Sequence, residues 1–201
     1  MLVTAEELAS LMQQDLDTAT ATLAIEIATG VVQSAAGQRI IEVVDDEAVI
    51  ELDANDNSPY LPLPERPVTA VTSATIGATA VTDFQPQLSR GRLWRSMGWR
   101  SATLPYSYTP STATVVYTHG YPAGHQKLQL ARSVVFDLAK TGYNTAAGSG
   151  AIVSEQIDDY AVRYAEMAAT IERALDPDGP LARALRRQYG RPPGSVRLVN
   201  Q

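Results

Sequence analysis

Cysteine is absent from the 201 residues, which excludes disulfides, thiol catalysis and cysteine-ligated zinc. Histidine is nearly absent. His119 and His125 stand six apart around Gly120 and Pro122, a spacing that does not set two imidazoles on one helix face. Each reads as a turn or surface histidine rather than a metal ligand or triad member. The patterns H-E-x-x-H, G-x-S-x-G, the P-loop and the dinucleotide-binding glycine run are also missing. No apolar run approaches the roughly 18 residues of a membrane span, and the N-terminus lacks a basic stretch followed by an apolar one. The expectation is a soluble protein made in the cytoplasm, with no enzymatic activity, no metal and no other cofactor.

Bases are scarce where acids are dense. Residues 1–60 hold twelve acids and one base, Arg39, for a net charge of -11, whereas residues 61–135 hold two acids and seven bases, for +5. The remainder is balanced, and the total is -6. A chain with a pI near 4.9 has no global attraction for nucleic acid, because non-specific binding needs enough Lys and Arg to displace counterions from phosphates. Opposite patches on one chain can instead attract each other between copies around a symmetric assembly, or remain solvated surface.

What is present falls into punctuated segments. Thr4 with Glu7 forms a capping-box pattern that opens a helix over 5–14, with Leu8, Leu11 and Met12 on one face. Asp17 or Thr18 caps a second helix running to Gly37, in which Leu23, Ile27 and Val31 recur every four residues. The two make a helical hairpin over 4–37. A strand-rich insertion follows over 40–118. In it, 40–44 and 48–52 read as a hairpin turning at Asp45-Asp46-Glu47, and 68–76 with 79–84 read as a hairpin turning at Gly77-Ala78. Residues 61–67 are extended because of their prolines, and 113–118 is a further strand. Residues 86–110 read as one long loop. A core helix covers 123–141, with Leu128, Ala131, Val135 and Leu138 on its buried face. A small-residue tether spans 142–150, then a strand or hairpin over 152–164, then a helix bearing Ala168, Ile171 and Leu175. Asp178-Gly179-Pro180 starts a final helix carrying Leu181, Leu185 and Tyr189, which Gly190 and Pro192-Pro193 stop. Residues 191–201 form an arm.

Candidate chemistry is thin. Asp53, Asn55 and Asn57 match the opening of an EF-hand loop, but Ser58 stands where glycine is needed and Pro64 where a bidentate acid is needed. The neighbours Asp45/Asp46 and Asp158/Asp159 point to opposite faces of a strand, so neither pair is preset as an acid and base couple. Arg90, Arg92, Trp94, Arg95, Trp99 and Arg100 interleave bases with aromatics. Such a loop can stack on single-stranded bases, which makes a small nucleic-acid-binding accessory protein the alternative reading; it can also anchor the loop or pack into a neighbouring subunit.

Three stretches, taken in order, carry a resemblance. They are Leu63-Pro64-Glu65-Arg66-Pro67-Val68-Thr69-Ala70-Val71, then Val115-Val116-Tyr117-Thr118-His119-Gly120-Tyr121 leading into a helix, then Ser154-Glu155-Gln156-Ile157-Asp158-Asp159-Tyr160-Ala161-Val162-Arg163-Tyr164. Together they resemble the head-to-tail adaptors of tailed phages, the head-completion or connector proteins below the portal ring. The chain departs from that family in its length, its acidic segment near 40–53 and its Trp/Arg loop. The resemblance implies a mainly α fold with β embellishments, an α+β chain whose helical core carries β-hairpins and long loops, in a single adaptor domain over 1–190. It also implies a typically dodecameric ring in the virion neck that joins the portal to the next neck or tail-completion protein, with DNA passing through unbound, no membrane contact and no catalytic residues.

Two surfaces are expected to serve that assembly. Ile157, Tyr160, Val162 and Tyr164, with Trp94 and Trp99, are expected at contacts between subunits, the tether at 142–150 letting 152–164 reach a neighbour. The final helix and arm, through Arg183, Arg186, Arg187, Tyr189, Arg191, Val196 and Leu198, are expected to dock on the portal.

Overall fold

The computed structural model describes residues 1–52, 58–99, 111–150, 176 and 179–190, which fall into two compact units. One unit joins Met1–Ile40 to Ala123–Gly190 and is helical; the other spans Ile41–Pro122 and is built of strands.

Local chemistry sets the helices. In α1, Ala5–Met12, the Thr4 hydroxyl accepts from the Glu7 amide at 3.2 Å and the Glu7 carboxylate accepts from the Thr4 amide at 3.0 Å, a reciprocal cap. Asp17 caps α2, Thr18–Ala36, accepting from the Thr20 amide at 2.8 Å and the Thr20 hydroxyl at 2.6 Å. Gly37, at φ 75°, ends it. A short 3-10 turn, Gln126–Leu128, leads into α3, Gln129–Gly150. The fourth helix, α4, is Pro180–Tyr189, with Gly179 as its N-cap.

Packing then selects among the apolar faces. On α2, Ala21, Ile25, Ala28, Val32 and Ala35 are buried, while Leu23 is 58% and Ile27 47% exposed. The expected Leu23, Ile27 and Val31 stripe is therefore not the core face. Alanines lining α2 and α3 let the two backbones approach closely, and that contact outweighs the larger side chains on the other side. Leu8 alone of the expected α1 face is buried, with Leu11 exposed. By length and composition α2 could cross a membrane, with mean hydropathy 1.2; its apolar character all round reflects a core face plus an outward apolar stripe.

The expected tether at 142–150 is instead the end of α3. Tyr143 is buried there and its hydroxyl accepts from the Asp17 amide at 3.0 Å, so packing on the start of α2 offsets the roughly 1 kcal/mol that each glycine costs a helix.

In the strand unit the elements are β1 Val43–Leu52, β2 Tyr60–Pro62, β3 Val68–Ile76, β4 Thr79–Ala80, β5 Gln85–Gln87, β6 Arg92–Trp94 and β7 Ser111–His119. They form two antiparallel sheets, ordered β1-β7-β3-β4 and β2-β6-β5. The expected hairpin over 40–52 does not form. Its two halves join into one strand, β1, which pairs along its length with β7, and the acids mark an irregularity in that ladder. Asp45 takes the left-handed conformation at φ 52°, accepts from the Thr72 hydroxyl at 2.5 Å, and donates its amide to the Thr118 hydroxyl at 3.3 Å. The second expected hairpin forms in part, turning at Gly77 with φ 56°, but its second strand, expected over 79–84, is only Thr79–Ala80.

Of the expected loop over 86–110, residues 86–99 supply most of β5, the 3-10 turn Leu88–Arg90 and β6, and residues 100–110 lie outside the described residues. One apolar core unites the sheets. Along β7, Ala113, Val115 and Tyr117 face it, with Ile50, Leu61, Leu63, Ile76, Leu93 and Trp99 around them. The expectation of an α+β chain dominated by a helical core is thus overturned in its emphasis: the sheets hold a core of their own rather than decorating a helical one.

Candidate functional site

Two of the three stretches that carry the family resemblance meet in space. Val68 pairs with His119 where β3 meets the central strand β7. The Gly120 amide donates to the Pro67 carbonyl at 2.9 Å, and the Glu65 amide donates to the buried Tyr117 hydroxyl at 3.1 Å. Gly120 sits at φ 88°, and a Cβ there would stand 2.3 Å from the Ile41 carbonyl oxygen, so only glycine fits. The third stretch, 154–164, lies outside the described residues, as do the expected contact residues Ile157, Tyr160, Val162 and Tyr164.

The histidines are built into the scaffold. His119 is fully buried, with Nε2 3.1 Å from the Asp46 carboxylate and its ring centroid 5.2 Å from that of Tyr117. Such a ring presents no surface to a substrate. His125 caps the 3-10 turn, its Nδ1 accepting from the Lys127 amide at 3.1 Å. Asp45 and Asp46 are both engaged in holding β1 against its neighbours rather than facing each other. Among the described residues no group of three or more His, Asp or Glu side chains could hold a metal ion. Residues 53–57 lie outside the described residues, as does Asp158/Asp159.

The Trp/Arg segment satisfies itself within its own unit. The Arg92 guanidinium lies 3.8 Å above the Tyr60 ring centroid, and its Nε donates to Gln87 at 2.7 Å. Arg95 pairs with Asp83 at 2.8 Å and donates to the Gly98 carbonyl at 3.1 Å. Trp99 is 3% exposed, packs on Phe84, and donates from Nε1 to the Pro59 carbonyl at 3.3 Å. Expected at a subunit contact, Trp99 is instead a core residue of its own sheet unit, because burying its indole joins the two sheets. Trp94 is half-buried in β6; Arg90 is exposed, and Arg100 lies outside the described residues.

On α4 the side chains divide cleanly. Ala182, Leu185 and Tyr189 are buried, and Arg183, Arg186 and Arg187 are exposed. Tyr189 is not available for docking: it is 3% exposed, its hydroxyl donates to the Lys127 carbonyl and accepts from the Ala131 amide at 3.3 Å, and the Gln38 side chain donates to its carbonyl. Its hydroxyl ties α4 to the start of α3, while the helix itself packs on α2. Arg191, Val196 and Leu198 lie outside the described residues. The outward helix face is therefore cationic: Arg183 and Arg187 are four apart, flank Ala184, and have no carboxylate partner among the described residues.

Sequence reading missed an opposite surface. In β1 the odd-numbered residues Glu47, Val49 and Glu51 are exposed, whereas Ala48 and Ile50 enter the core. The available signal was the pair of acids two strand periods apart, Glu47 and Glu51, around an apolar run, obscured by reading Asp45-Asp46-Glu47 as a turn.

Two carboxyls elsewhere are held below the ordinary carboxylate range. For Glu7 the cause is chiefly the Thr4 amide, with Arg132 at 2.6 Å assisting against partial desolvation; for Asp17 it is the hydroxyl and amide of Thr20. Both serve helix starts in the helical unit.

A scan against models of known protein families finds no match, and no curated protein shows significant similarity to the chain.

Proposed function

We propose that this chain is a structural virion protein, a head-to-tail adaptor whose copies form a ring between the portal and the tail of a long-tailed phage. The observation that carries the reading is the interlock of the Leu63–Val71 and Val115–Tyr121 stretches through Glu65, Tyr117, Pro67 and Gly120. The two stretches that carry the resemblance to that family form one structural unit rather than two scattered similarities. The engagement of both histidines in the scaffold agrees with a role that involves no chemistry. An acidic chain also suits a ring through which DNA must slide without sticking. The adaptor reading is preferred to the nucleic-acid-binding alternative because Arg92, Arg95 and Trp99, three residues of the segment that would grip a strand, are occupied within their own unit.

Electron microscopy of the concentrated full chain tests the reading, with closed rings around a central channel as the expected image. A salt-dependent retention on single-stranded DNA by a chain that stays monomeric would point to the alternative instead.

A further inference from the structure

The exposed face of α4 and the outer row of β1 are opposite in charge. Arg183 and Arg187 are about 6 Å apart along the helix at 1.5 Å per residue. Glu47 and Glu51 are about 14 Å apart along the strand at 3.4 Å per residue, so the long arginine stems must diverge to meet both acids. Each surface carries a small apolar side chain beside its charges: exposed Ala184 beside Arg183 and Arg187, and Val49, 47% exposed, between Glu47 and Glu51. None of these four charged side chains has an ion-pair partner among the described residues. The row also lies on a β-branched sheet face, because Val49 is opposite Thr114, and Glu47 is opposite Val116.

We infer that the α4 face of one copy docks on the β1 row of a second copy, with Arg183 and Arg187 against Glu47 and Glu51 and Ala184 over Val49. This contact deepens the ring reading and rests on it, since it names the surfaces by which neighbouring copies would meet. A second copy is favoured over the portal as occupant because the complementary acids stand on this same chain. The two surfaces differ, so the contact is heterologous and repeats from copy to copy, which is how a ring closes. Ion pairs at such a contact supply register and partner choice, and the apolar centre and the arginine stems supply buried area.

Charge reversal tests it in the full-length chain, with oligomeric state read by sedimentation and native mass spectrometry. One variant carries Arg183→Glu and Arg187→Glu, so both of its surfaces are acidic; the other carries Glu47→Arg and Glu51→Arg, so both are basic. Each alone should self-associate at least about 100-fold more weakly than the parent, because like charges then face each other. Mixed, they should associate again, alternating around an even-numbered assembly. Since all four positions are exposed, both variants should retain the parent's circular dichroism, and recovery on mixing shows folded surfaces in any case. Parent-like association of either variant alone, failure of the mixture to recover, or a parent that stays monomeric would overturn the contact. If the arginine variant still forms rings but no longer binds purified portal, the face belongs to the portal and the copy-to-copy contact is wrong. Rings that form unchanged in both variants would sink this contact while leaving the adaptor reading intact, and absence of rings in the parent would sink both.

Discussion

The helical unit and the strand unit are held together by different kinds of interaction. In the first, each helix is capped by near neighbours, Thr4 with Glu7, Asp17 with Thr20, and Gly37 with Gln33, and a few separate long-range ties such as Asp17 with Tyr143 and Glu7 with Arg132 join the helices. In the second the decisive polar contacts join residues far apart in the chain, as in Asp46 with His119, Glu65 with Tyr117 and the whole register of β1 on β7. Short-range contacts form at little loop-closure cost and can each be lost singly. Long-range ones depend on the entire sheet being in register, so damage to one should propagate. Both tryptophans, Trp94 and Trp99, lie in the strand unit, so their fluorescence follows that unit while far-UV circular dichroism weights the helices.

The largest effect is expected from Gly120→Val. A branched side chain at φ 88° against the Ile41 carbonyl should cost about 3–5 kcal/mol, combining backbone strain and overpacking. Denaturant melts should show tryptophan fluorescence shifting to lower denaturant by more than the helical signal. Coincident shifts of equal size would mean that the two units unfold as one, which would break the contrast.

Next comes a pair on α2. Ile25→Ala should cost about 2–4 kcal/mol, since Ile25 is fully buried, whereas Ile27→Ala should stay within roughly 0.5 kcal/mol in the isolated chain. Helical melting measured by circular dichroism distinguishes them, and equal costs would return the core face to the Leu23 and Ile27 stripe.

Tyr117→Phe should cost about 1–2 kcal/mol, because the ring is kept while the Glu65 amide loses its buried acceptor. The loss should appear in fluorescence-monitored unfolding, and a neutral result would show that the hydroxyl does not tie the segment before β3 to β7.

The smallest effect concerns acid. Glu7 and Asp17 titrate lower in the folded chain than in the unfolded one, so through the window between the two values the unfolded chain binds more protons. Their contribution is complete above the ordinary carboxylate pKa of about 4 and is lost as pH falls through the folded values. A Glu7→Gln, Asp17→Asn variant keeps hydrogen-bonding side chains at both caps and should flatten the acid dependence of the helical melt. An unchanged slope would mean that these caps do not couple to pH.

How much could be read beforehand follows the same division. The capping box at Thr4, the cap at Asp17, the stop at Gly37, the Gly77 turn and the Pro180 helix start were legible because each is a rule about residues within about four positions. The core face of α2 was not, because a helix apolar on two sides offers two four-residue repeats and only its neighbour selects one. Asp45-Asp46-Glu47 misled for a related reason. Acids between β-branched runs signal a turn when β1 is considered alone, but they become a ladder irregularity once Thr72, Thr118 and His119 supply partners.

For the candidate site, composition and spacing settled the lack of cysteine chemistry, the segregation of charge and the cationic character of the last helix. Tertiary structure decided which charges are outward: Arg92 and Arg95 are consumed, Arg183 and Arg187 are left on the surface, and Trp99 and Tyr189 are spent inside. The physical reason is that charge is a property of a residue, whereas availability depends on whether burial and hydrogen bonding have already used the side chain, and those are fixed by residues far away in the chain.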